Sequence, residues 1–446
     1  MTTFVVFAPR DRIENEKSLA SFDAFQDVVA SRTVRVQEAA APVLSAVAKL
    51  GEEAGVARVR DAANVSLMEI GHSEMMSGDA VDGPDPLEAV AATSKVNMLP
   101  AVGGLILQDA KAEEVARLRD AGFEVVENKR YYYVPPEPVA ADGMAADAGA
   151  AHPAEAWHLG HCGALGMHAA GFDGQGSCIG ILDTGIDPDH PEFAGKRIAF
   201  ARFDKDGNVV GTAPVDTGDH GTHVSAIAAG HSVGVAKAAD LAVAAVLTYR
   251  SNGRNSGFLA QILAGFNWLV GNPTAGAPPP PEVTVVNASL GGKGYRPYLY
   301  QSIRTARDDL GIPFVGAIGN AGHGGINRHG SPGNYDISIG VGAGDIDDLV
   351  ADFSDWGTVT QFGNLAKPDL CAPGVAIHSA IPGGGYAPKN GTSMAAPCVA
   401  GAIALILQQM PHLDGDVAAL EQEVYSRIVP MSVAAGVRAG RGRLAL

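Results

Sequence analysis

Apolar runs of strand length alternate with longer apolar stretches of helical spacing over residues 178–409. This alternation predicts a parallel sheet with helices on both faces. Ligands of such sheets bind beyond the carboxyl ends of the strands, and Asp183, Asn287 and Asn320 stand at or just after such ends. The predicted strands are 178–182, 241–247, 283–287, 313–318 and 337–341, and the predicted helices are 221–229, 258–269, 298–310 and 394–409.

Residues 1–148 follow a different pattern. A strand is predicted at 3–8, and Val43, Val47 and Leu50 repeat at the spacing of an amphipathic helix. The polar stretch 71–95 is punctuated by proline and glycine, which predicts a loop. The order strand, helix, strand, helix, strand predicts a small α+β domain with helices on one face of an antiparallel sheet. An unrelated binding domain is the alternative. The last three of these elements are predicted at 102–108, 110–120 and 123–134.

Pro135-Pro136-Glu137-Pro138 and the Ala/Gly/Asp-rich stretch that follows have the composition of a linker. The chain therefore divides into a predicted N-terminal domain (1–134), a linker (135–154) and a larger C-terminal domain (155–446).

Composition limits the partners. The chain has 446 residues, of which 46% are hydrophobic, and a formal net charge of −17. That charge argues against nucleic acid or an anionic membrane as the main partner. Along the sequence, no run of apolar residues is long enough to span a membrane. Residues 1–10 also lack the pattern of a secretory signal. Four scattered cysteines predict no disulfide framework. We therefore expect a cytoplasmic location, with secretion as the alternative.

Three short motifs carry candidate chemistry. Ser393 follows Asn390-Gly391-Thr392 at the start of a predicted helix, where free N–H groups and the helix dipole favour negative charge. An isolated Gly-Thr-Ser would more often be a helix cap. However, Asp183 ends a strand in Asp-Thr-Gly, and His220 begins His-Gly-Thr-His. Together the motifs supply an acid, a base and a nucleophile in the chain order Asp, His, Ser, which is one known order for this constellation.

At these motifs the chain resembles the subtilisin-like serine proteases (subtilases), over roughly residues 155–446. The resemblance implies that Ser393 is the nucleophile, that His220 is the base, and that Asp183 orients the imidazole. His223 and Asp187 are weaker competitors for the base and the acid. Asn320, which follows Gly319 at a strand end, is the implied side-chain donor of an oxyanion hole, together with the backbone N–H of Ser393.

The N-terminal segment resembles the inhibitory propeptides of this family, most clearly from Val96 to Val134. The implied fold is a subtilisin-like parallel sheet flanked by helices, preceded by a small α+β (ferredoxin-like) prodomain. The implied partner of the enzyme is therefore its own N-terminal domain, besides polypeptide substrates. We expect self-cleavage at a processing site in the linker.

The resemblance also implies a pocket for the substrate residue before the scissile bond. A Ser-Leu-Gly edge would pair with the substrate backbone as an added strand. A glycine floor and the uncharged Ala321 at the mouth predict large apolar or uncharged side chains in this pocket. Arg250 and Arg254 would favour acidic residues at a more distant subsite. The implied substrate-binding residues are Ser289, Leu290, Gly291, Ala317, Gly319 and Gly330.

The chain departs from the family at two places. Relatives carry a calcium-binding loop after the helix of the catalytic histidine, but here only residues 230–233 fill that gap, without a carboxylate. We therefore expect no calcium there, and no cofactor, while calcium elsewhere stays open. Cys398 replaces the histidine common five positions after the nucleophile, and we expect it to be buried.

Two other motifs have some features of a zinc site and of a dinucleotide-binding loop. His158, His161, Cys162 and His168 could indicate zinc, but their spacing fits no closed site. Gly174-Gln175-Gly176 precedes its strand, whereas the glycines of a dinucleotide-binding loop follow theirs. We therefore predict no metal ligands among the site residues.

The sequence predicts a serine endopeptidase made as a zymogen. The alternative from another class is a catalytically silent subtilase-fold module that binds proteins, with residues 1–148 recruiting partners.

Overall fold

The computed structural model describes residues 2–9, 32–54, 59, 62–63, 96–100, 103–132, 156–251, 254–272, 274–432 and 437–446. We call the described residues up to 132 the N-terminal module and those from 156 the C-terminal module. The predicted loop 71–95 and linker 135–154 lie outside the described residues.

The N-terminal module contains a four-stranded antiparallel sheet. Its elements are β1 (Phe4–Phe7), α1 (Arg32–Glu53), β2 (Val96–Leu99), β3 (Gly104–Leu107), α2 (Ala112–Asp120) and β4 (Glu124–Glu127), in the sheet order β2-β3-β1-β4. Val6 and Leu105 of the sheet share one apolar cluster with Val47 of α1 and Leu118 of α2. Both helices therefore cover the same face, which is an α+β arrangement. The sequence analysis missed β2, whose apolar pattern Asn97 interrupts.

The opposite face of this sheet packs on the C-terminal module. Val5, Phe7 and Ile106 belong to one cluster with Leu259 and Leu263 of that module. The predicted strand 123–134 is in fact divided. After β4 the chain forms β5 (Arg130–Tyr132), which leaves this sheet and pairs with the C-terminal module instead.

A ten-stranded sheet forms the centre of the C-terminal module. Its strands are β6 (Cys178–Asp183), β7 (Ile198–Phe203), β8 (Val209–Gly211), β9 (Asp240–Ala245), β12 (Val285–Ala288), β14 (Phe314–Ala317), β16 (Ile339–Gly344), β19 (Leu370–Pro373), β22 (Ile428–Val429) and β23 (Arg443–Leu444). The order is β22-β23-β19-β16-β14-β12-β6-β9-β7-β8. Pairing is parallel from β23 to β7, and only the edge strands β22 and β8 pair antiparallel.

Smaller strands lie outside this sheet. They are β10 (Tyr249–Ser251), β11 (Arg254–Phe258), β13 (Gly292–Lys293), β15 (Gly330–Ser331), β17 (Gly357–Val359), β18 (Leu365–Lys367), β20 (Ile377–Ile381) and β21 (Gly385–Lys389).

Helices cover both faces of the central sheet. They are α3 (Trp157–His161), α4 (Ala164–Ala169), α5 (His220–Ala229), α6 (Leu259–Leu269), α7 (Tyr300–Asp308), α8 (Thr392–Gln409) and α9 (Val417–Ser426). One face packs on α5 and α8, and the other packs on α6 and α7. This is the parallel, doubly covered sheet that the apolar pattern predicts.

Helix α8 bears on the membrane prediction. The sequence count found no apolar run long enough to span a membrane, but α8 has 18 residues and a mean hydropathy of 1.3, and it meets that test by length and composition. It is the only such helix in the described part of the chain, and 89% of it is buried inside the protein. Its apolar composition is therefore that of a core helix.

All five predicted strands and four predicted helices of this module occur, with shifted ends. The sequence analysis missed two central strands, β7 and β19. Strand β7 carries Arg202 and is only partly buried, while the apolar residues of β19 lie between Asp369 and Pro373. Charged residues or proline therefore interrupt both apolar patterns.

Candidate active site

Asp183 ends β6 and His220 begins α5, and both side chains are buried. All six residues of β6 are buried, so the strand is anchored in the core and holds Asp183 at the carboxyl edge of the sheet. Nδ1 of His220 lies 2.8 Å from Oδ1 and 2.9 Å from Oδ2 of Asp183. The ring N–H therefore donates to the carboxylate, which orients the imidazole and leaves Nε2 as the proton-accepting atom.

The residues beside the pair explain the two motifs. The hydroxyl of Thr184 accepts from the backbone N–H of Gly221 at 2.8 Å. A Cβ on Gly221 would collide with the backbone of Gly185, so glycine lets α5 approach the Asp-Thr-Gly turn. Asp216, which the sequence analysis missed, then joins both motifs. It accepts from the hydroxyls of Thr184 and Thr222, each at 2.6 Å.

The two weaker competitors lie elsewhere. Asp187 accepts from the backbone N–H of Gly383 at 2.7 Å, not from His220. The Nε2–H of His223 donates to the carbonyl of Ala387 at 2.9 Å, and burial lowers the pKa of His223 well below its ordinary value. Both residues therefore have structural partners.

Ser393 lies in the first turn of α8, and 3% of it is exposed. Its hydroxyl donates to the carbonyl of Ser289 at 3.4 Å. Pro397, four residues later, has no N–H for the helical bond to the carbonyl of Ser393. That carbonyl instead accepts from the hydroxyl of Ser289 at 2.9 Å. The proline of the motif therefore lets the nucleophile candidate and the predicted Ser-Leu-Gly edge bond to each other.

Asn320 follows β14 and is also buried. Its Oδ1 accepts from the N–H and the hydroxyl of Thr392 at 2.9 and 3.0 Å. These bonds fix the amide with its NH₂ on the other side, where no described residue accepts from it. The first backbone N–H groups of a helix also lack intrahelical partners, which leaves the N–H of Ser393 available. One donor thus comes from the loop after β14 and the other from the first turn of α8, and the bonds between Asn320 and Thr392 join these two segments.

A pocket of about 440 Å³, including the solvent at its mouth, lies beside Ser393 and Asn320. All six predicted substrate-binding residues line it: Ser289, Leu290, Gly291, Ala317, Gly319 and Gly330. Ala321 lines it too, as expected.

The same pocket also contains Asp355 and Lys293, two charged residues that the prediction of apolar or uncharged substrate side chains did not take into account. Burial raises the pKa of Asp355 to about 7, although the N–H of Ala321 and the charges of Arg328 and Lys293 act in the opposite direction. Asp355 lies 34 residues after Ala321 in a segment without a recognisable motif. No local sequence signal could therefore place it in the pocket.

The N-terminal module reaches the edge of this site through β5. Arg130, Tyr131 and Tyr132 pair antiparallel with Phe258, Gly257 and Ser256 of β11. Tyr131 is buried, with the guanidinium of Arg296 5.9 Å from its ring centre. Residues 130–132 therefore form a strand added to the C-terminal module.

The two predicted distant-subsite residues are in this region. Arg250 lies on β10, next to β11, and is exposed. The side chain of Arg254 lies outside the described residues.

The short turn after α5 is held by Glu192 and two histidines. The carboxylate of Glu192 accepts from the N–H groups of Ser232 and Val233 at 2.8 and 3.3 Å. His158 and His168 donate from the other side to the carbonyls of Val233 and Val235, each at 2.8 Å. The carboxylate of Glu192 and the carbonyls of Val233 and Val235 are therefore already used within the protein.

The zinc candidates separate in the structure. His158 and His168 bond to backbone carbonyls, and Cys162 is buried. Among the described residues, no group of three or more His, Cys, Asp or Glu side chains could hold a metal ion. The glycine motif before β6 has a structural role of its own, because Gly174 has a φ of 90° and packs against Ala236.

None of the four cysteines forms a disulfide, and all are buried. Burial raises the pKa of the Cys398 thiol well above its ordinary value, so this side chain packs in α8 as a small apolar group.

Comparisons with known proteins agree with this geometry. Residues 174–430 match the Subtilase family. Alkaline serine exoprotease A from Vibrio alginolyticus is 35% identical over 243 residues, which are 54% of this chain and 40% of that protein. The chain thus spans less than half the length of this relative. An intracellular serine protease from Paenibacillus polymyxa is 34% identical over 270 residues, which are 59% of this chain and 76% of that protein.

A solved structure supports the same relation. The crystal structure of a cold adapted subtilisin-like serine proteinase matches 61% of this chain and 90% of its own, with 32% identity and a TM-score of 0.50. The family match covers more than half of the chain and lies wholly within the C-terminal module. The chain therefore belongs to the subtilase family of serine proteases, and its C-terminal module has the subtilisin-like α/β fold.

Proposed function

We propose that this chain is a serine endopeptidase that hydrolyses polypeptides with Asp183, His220 and Ser393 as a catalytic triad. The proposal rests on the buried contact of 2.8 Å between Nδ1 of His220 and Oδ1 of Asp183. His220 begins α5, and α5 packs against α8, whose first turn contains Ser393. His220 takes the proton of Ser393 as the hydroxyl oxygen attacks the peptide carbonyl, and returns it to the leaving amine. Water then attacks the acyl-enzyme in the same way and regenerates Ser393.

The oxyanion formed in both steps would be held by the side-chain amide of Asn320 and the N–H of Ser393. The bonds from Thr392 to Oδ1 of Asn320 support this role, because they fix the amide before the substrate binds. Loss of one such donor costs about 2.7–4 kcal/mol of transition-state stabilisation, a range known from the corresponding asparagine of subtilisin, a relative.

The N-terminal module is proposed to be an inhibitory prodomain, and the chain a zymogen. Strand β5 pairs with β11, the neighbour of the strand that carries Arg250, in the manner of a peptide that adds a strand. We propose the division 1–134, 135–154 and 155–446, with self-cleavage in the middle segment. N-terminal sequencing of active protein should find a start within 135–155, and retention of Met1 would contradict this step.

No step of this mechanism needs a cofactor, because side chains and backbone of the chain carry each one. We propose that the turn after α5 binds no calcium, because residues 230–233 carry no carboxylate and the carboxylate of Glu192 already accepts two of their backbone N–H groups. Six to eight oxygen ligands would be required. Calcium elsewhere would act on stability, and a comparison of melting temperatures with and without a chelator tests for it.

The cellular location of the protein is a separate part of the proposal. One relative is named an intracellular protease and another an exoprotease, so both locations occur in the family. We propose the cytoplasm, with secretion as the alternative, and fractionation of the native host decides between them.

Labelling with a fluorophosphonate, combined with intact mass, tests the proposal as a whole. Wild-type protein should be labelled and shortened, while Ser393→Ala should be neither, and its activity should fall by about 10⁶-fold as in subtilisin. Ser432→Ala, which removes an exposed serine, is the matched control. Absence of labelling even after proteolytic removal of the N-terminal module would favour the silent binding module instead.

A further inference from the structure

Asp355 is held in the pocket wall by two backbone contacts. Its Oδ1 accepts from the N–H of Ala321 at 2.8 Å, and its own N–H donates to the carbonyl of Gly319 at 2.9 Å. A Cβ on Gly319 would collide with Oδ2 of Asp355, so the glycine makes room for the carboxyl group. The carboxyl is therefore built into the wall and does not approach it from a mobile surface chain.

The second carboxyl oxygen lacks a partner within the described chain. Only 6% of Asp355 is exposed, yet no described residue donates to Oδ2 or forms an ion pair with it within 4 Å. Buried carboxylates are ordinarily paired or hydrogen-bonded, because their desolvation is costly. This one faces the pocket that the proposed function assigns to the substrate residue before the scissile bond.

We propose that Asp355 is a specificity-determining residue that selects substrates with lysine or arginine before the scissile bond. The inference rests on the proposed peptidase function and adds a substrate class to it. The cationic end of the side chain would donate to Oδ2, while its methylene stem would pack on Leu290, Ala317 and the glycine floor at Gly330. A glutamate would be repelled.

Two cations lie near the carboxyl group. Lys293 on β13 lines the pocket, and Arg328 belongs to the loop before β15; both lower the pKa of Asp355, and both side chains are exposed. Their fields are therefore partly screened by solvent. Neither blocks the contact that a side chain inserted into the pocket would make.

The preference should depend on pH. Burial raises the pKa of Asp355 to about 7, so the carboxyl is largely neutral at pH 6 and ionised at pH 8.5. A neutral carboxyl can accept a hydrogen bond but gives no charge attraction. Selection of lysine over an uncharged side chain of equal length therefore rises as the pH passes through 7.

The test compares peptides that differ only in the residue before the scissile bond: lysine, arginine, norleucine, glutamine and glutamate. At pH 8.5 we expect wild-type kcat/KM for lysine to exceed that for norleucine by about 10- to 100-fold. Asp355→Asn keeps the size of the side chain and the acceptor for Ala321, and should bring this ratio close to one. Asp352→Asn removes a neighbouring carboxylate that is 95% exposed, and should leave the ratio unchanged.

The outcomes separate the two proposals. An enzyme that hydrolyses the norleucine peptide as well as the lysine peptide, with no change in Asp355→Asn, overturns the selection by Asp355 but leaves the peptidase function intact. If Asp355→Asn does not fold, the wild-type lysine-to-norleucine ratio at pH 6 and pH 8.5 still decides, because a ratio independent of pH contradicts the inference. No hydrolysis of any peptide and no fluorophosphonate labelling would overturn both.

Discussion

The two sheets of this protein complete their cores in different ways. In the ten-stranded sheet, Ile181 faces the layer of α5 and α8, whereas its neighbour Leu182 faces that of α6 and α7. Both covers come from the C-terminal module itself. In the four-stranded sheet, Val6 faces the module's own helices, but Val5 faces α6 of the other module.

The difference shows how one module can dock on another without being part of its core. The C-terminal module has two layers of helices of its own and does not need the N-terminal sheet to bury its strands. The N-terminal sheet has an apolar face that only the other module covers in the described structure. A sheet with one apolar face open to water is marginal, so docking and folding of the N-terminal module should be coupled.

The two modules should differ most in their sensitivity to acid. His158 of the C-terminal module is fully buried, and its Nε2–H donates to Val233, while no described residue partners its Nδ1. Burial lowers the pKa of His158 from 6.5 to about 4. Below pH 6.5 the unfolded chain takes up a proton that the folded protein refuses, so stability falls with pH down to about 4, by roughly 3 kcal/mol in total.

Denaturant unfolding at pH 7 and pH 4.5 measures this loss, in a Ser393→Ala background that prevents self-digestion. His158→Gln should lose less stability between the two pH values than the parent, and His412→Gln, which alters an exposed histidine, should behave as the parent. The described N-terminal residues contain no histidine, so they add no histidine contribution of their own to this profile. Equal losses in both histidine variants would show that His158 is not responsible.

The same contrast explains what the sequence could predict. The strand that carries Asp183 and the helix that carries Ser393 are local apolar patterns, and each of their motifs is a continuous run of residues. The contacts that could not be predicted join separate segments of the chain. Asp216 links two motifs, and Asp355 reaches the pocket from a loop of no distinctive composition.

The pairing of β5 with the C-terminal module could not be predicted from the sequence either. Strand propensity continues from β4 into residues 130–132, and nothing local marks the point at which the chain leaves one sheet for another. That choice is made by the exposed edge of β11, which lies more than a hundred residues away.

Two adjacent residues of β1 face opposite sides of the N-terminal sheet. Val5→Ala and Val6→Ala remove the same two buried methyl groups, worth about 1.5 kcal/mol, from opposite faces of β1. Val6→Ala should loosen the N-terminal module itself and speed hydrogen exchange in α1. Val5→Ala should leave that exchange nearly unchanged when the module is docked, but should weaken docking and speed fluorophosphonate labelling of Ser393. Identical profiles for the two variants would mean that the sheet does not have two independent faces.

The smallest predicted effect concerns two hydrogen bonds between the N-terminal module and the first residues of α6. Oδ1 of Asn128 accepts from the N–H of Ala260 at 2.9 Å, and the carbonyl of Lys129 accepts from Leu259 at 2.8 Å. The N-terminal module thus caps α6, whose first N–H groups have no partners within the helix. Asn128→Ala should weaken docking by about 1 kcal/mol and speed labelling about five-fold, whereas Asn128→Asp, which keeps the acceptor at the positive end of the helix, should change it less. Labelling rates of the full chain measure both, and a larger effect of Asp than of Ala would show that the other bond of Asn128, from Nδ2 to the carbonyl of Lys205 at 2.7 Å, is the contact that matters.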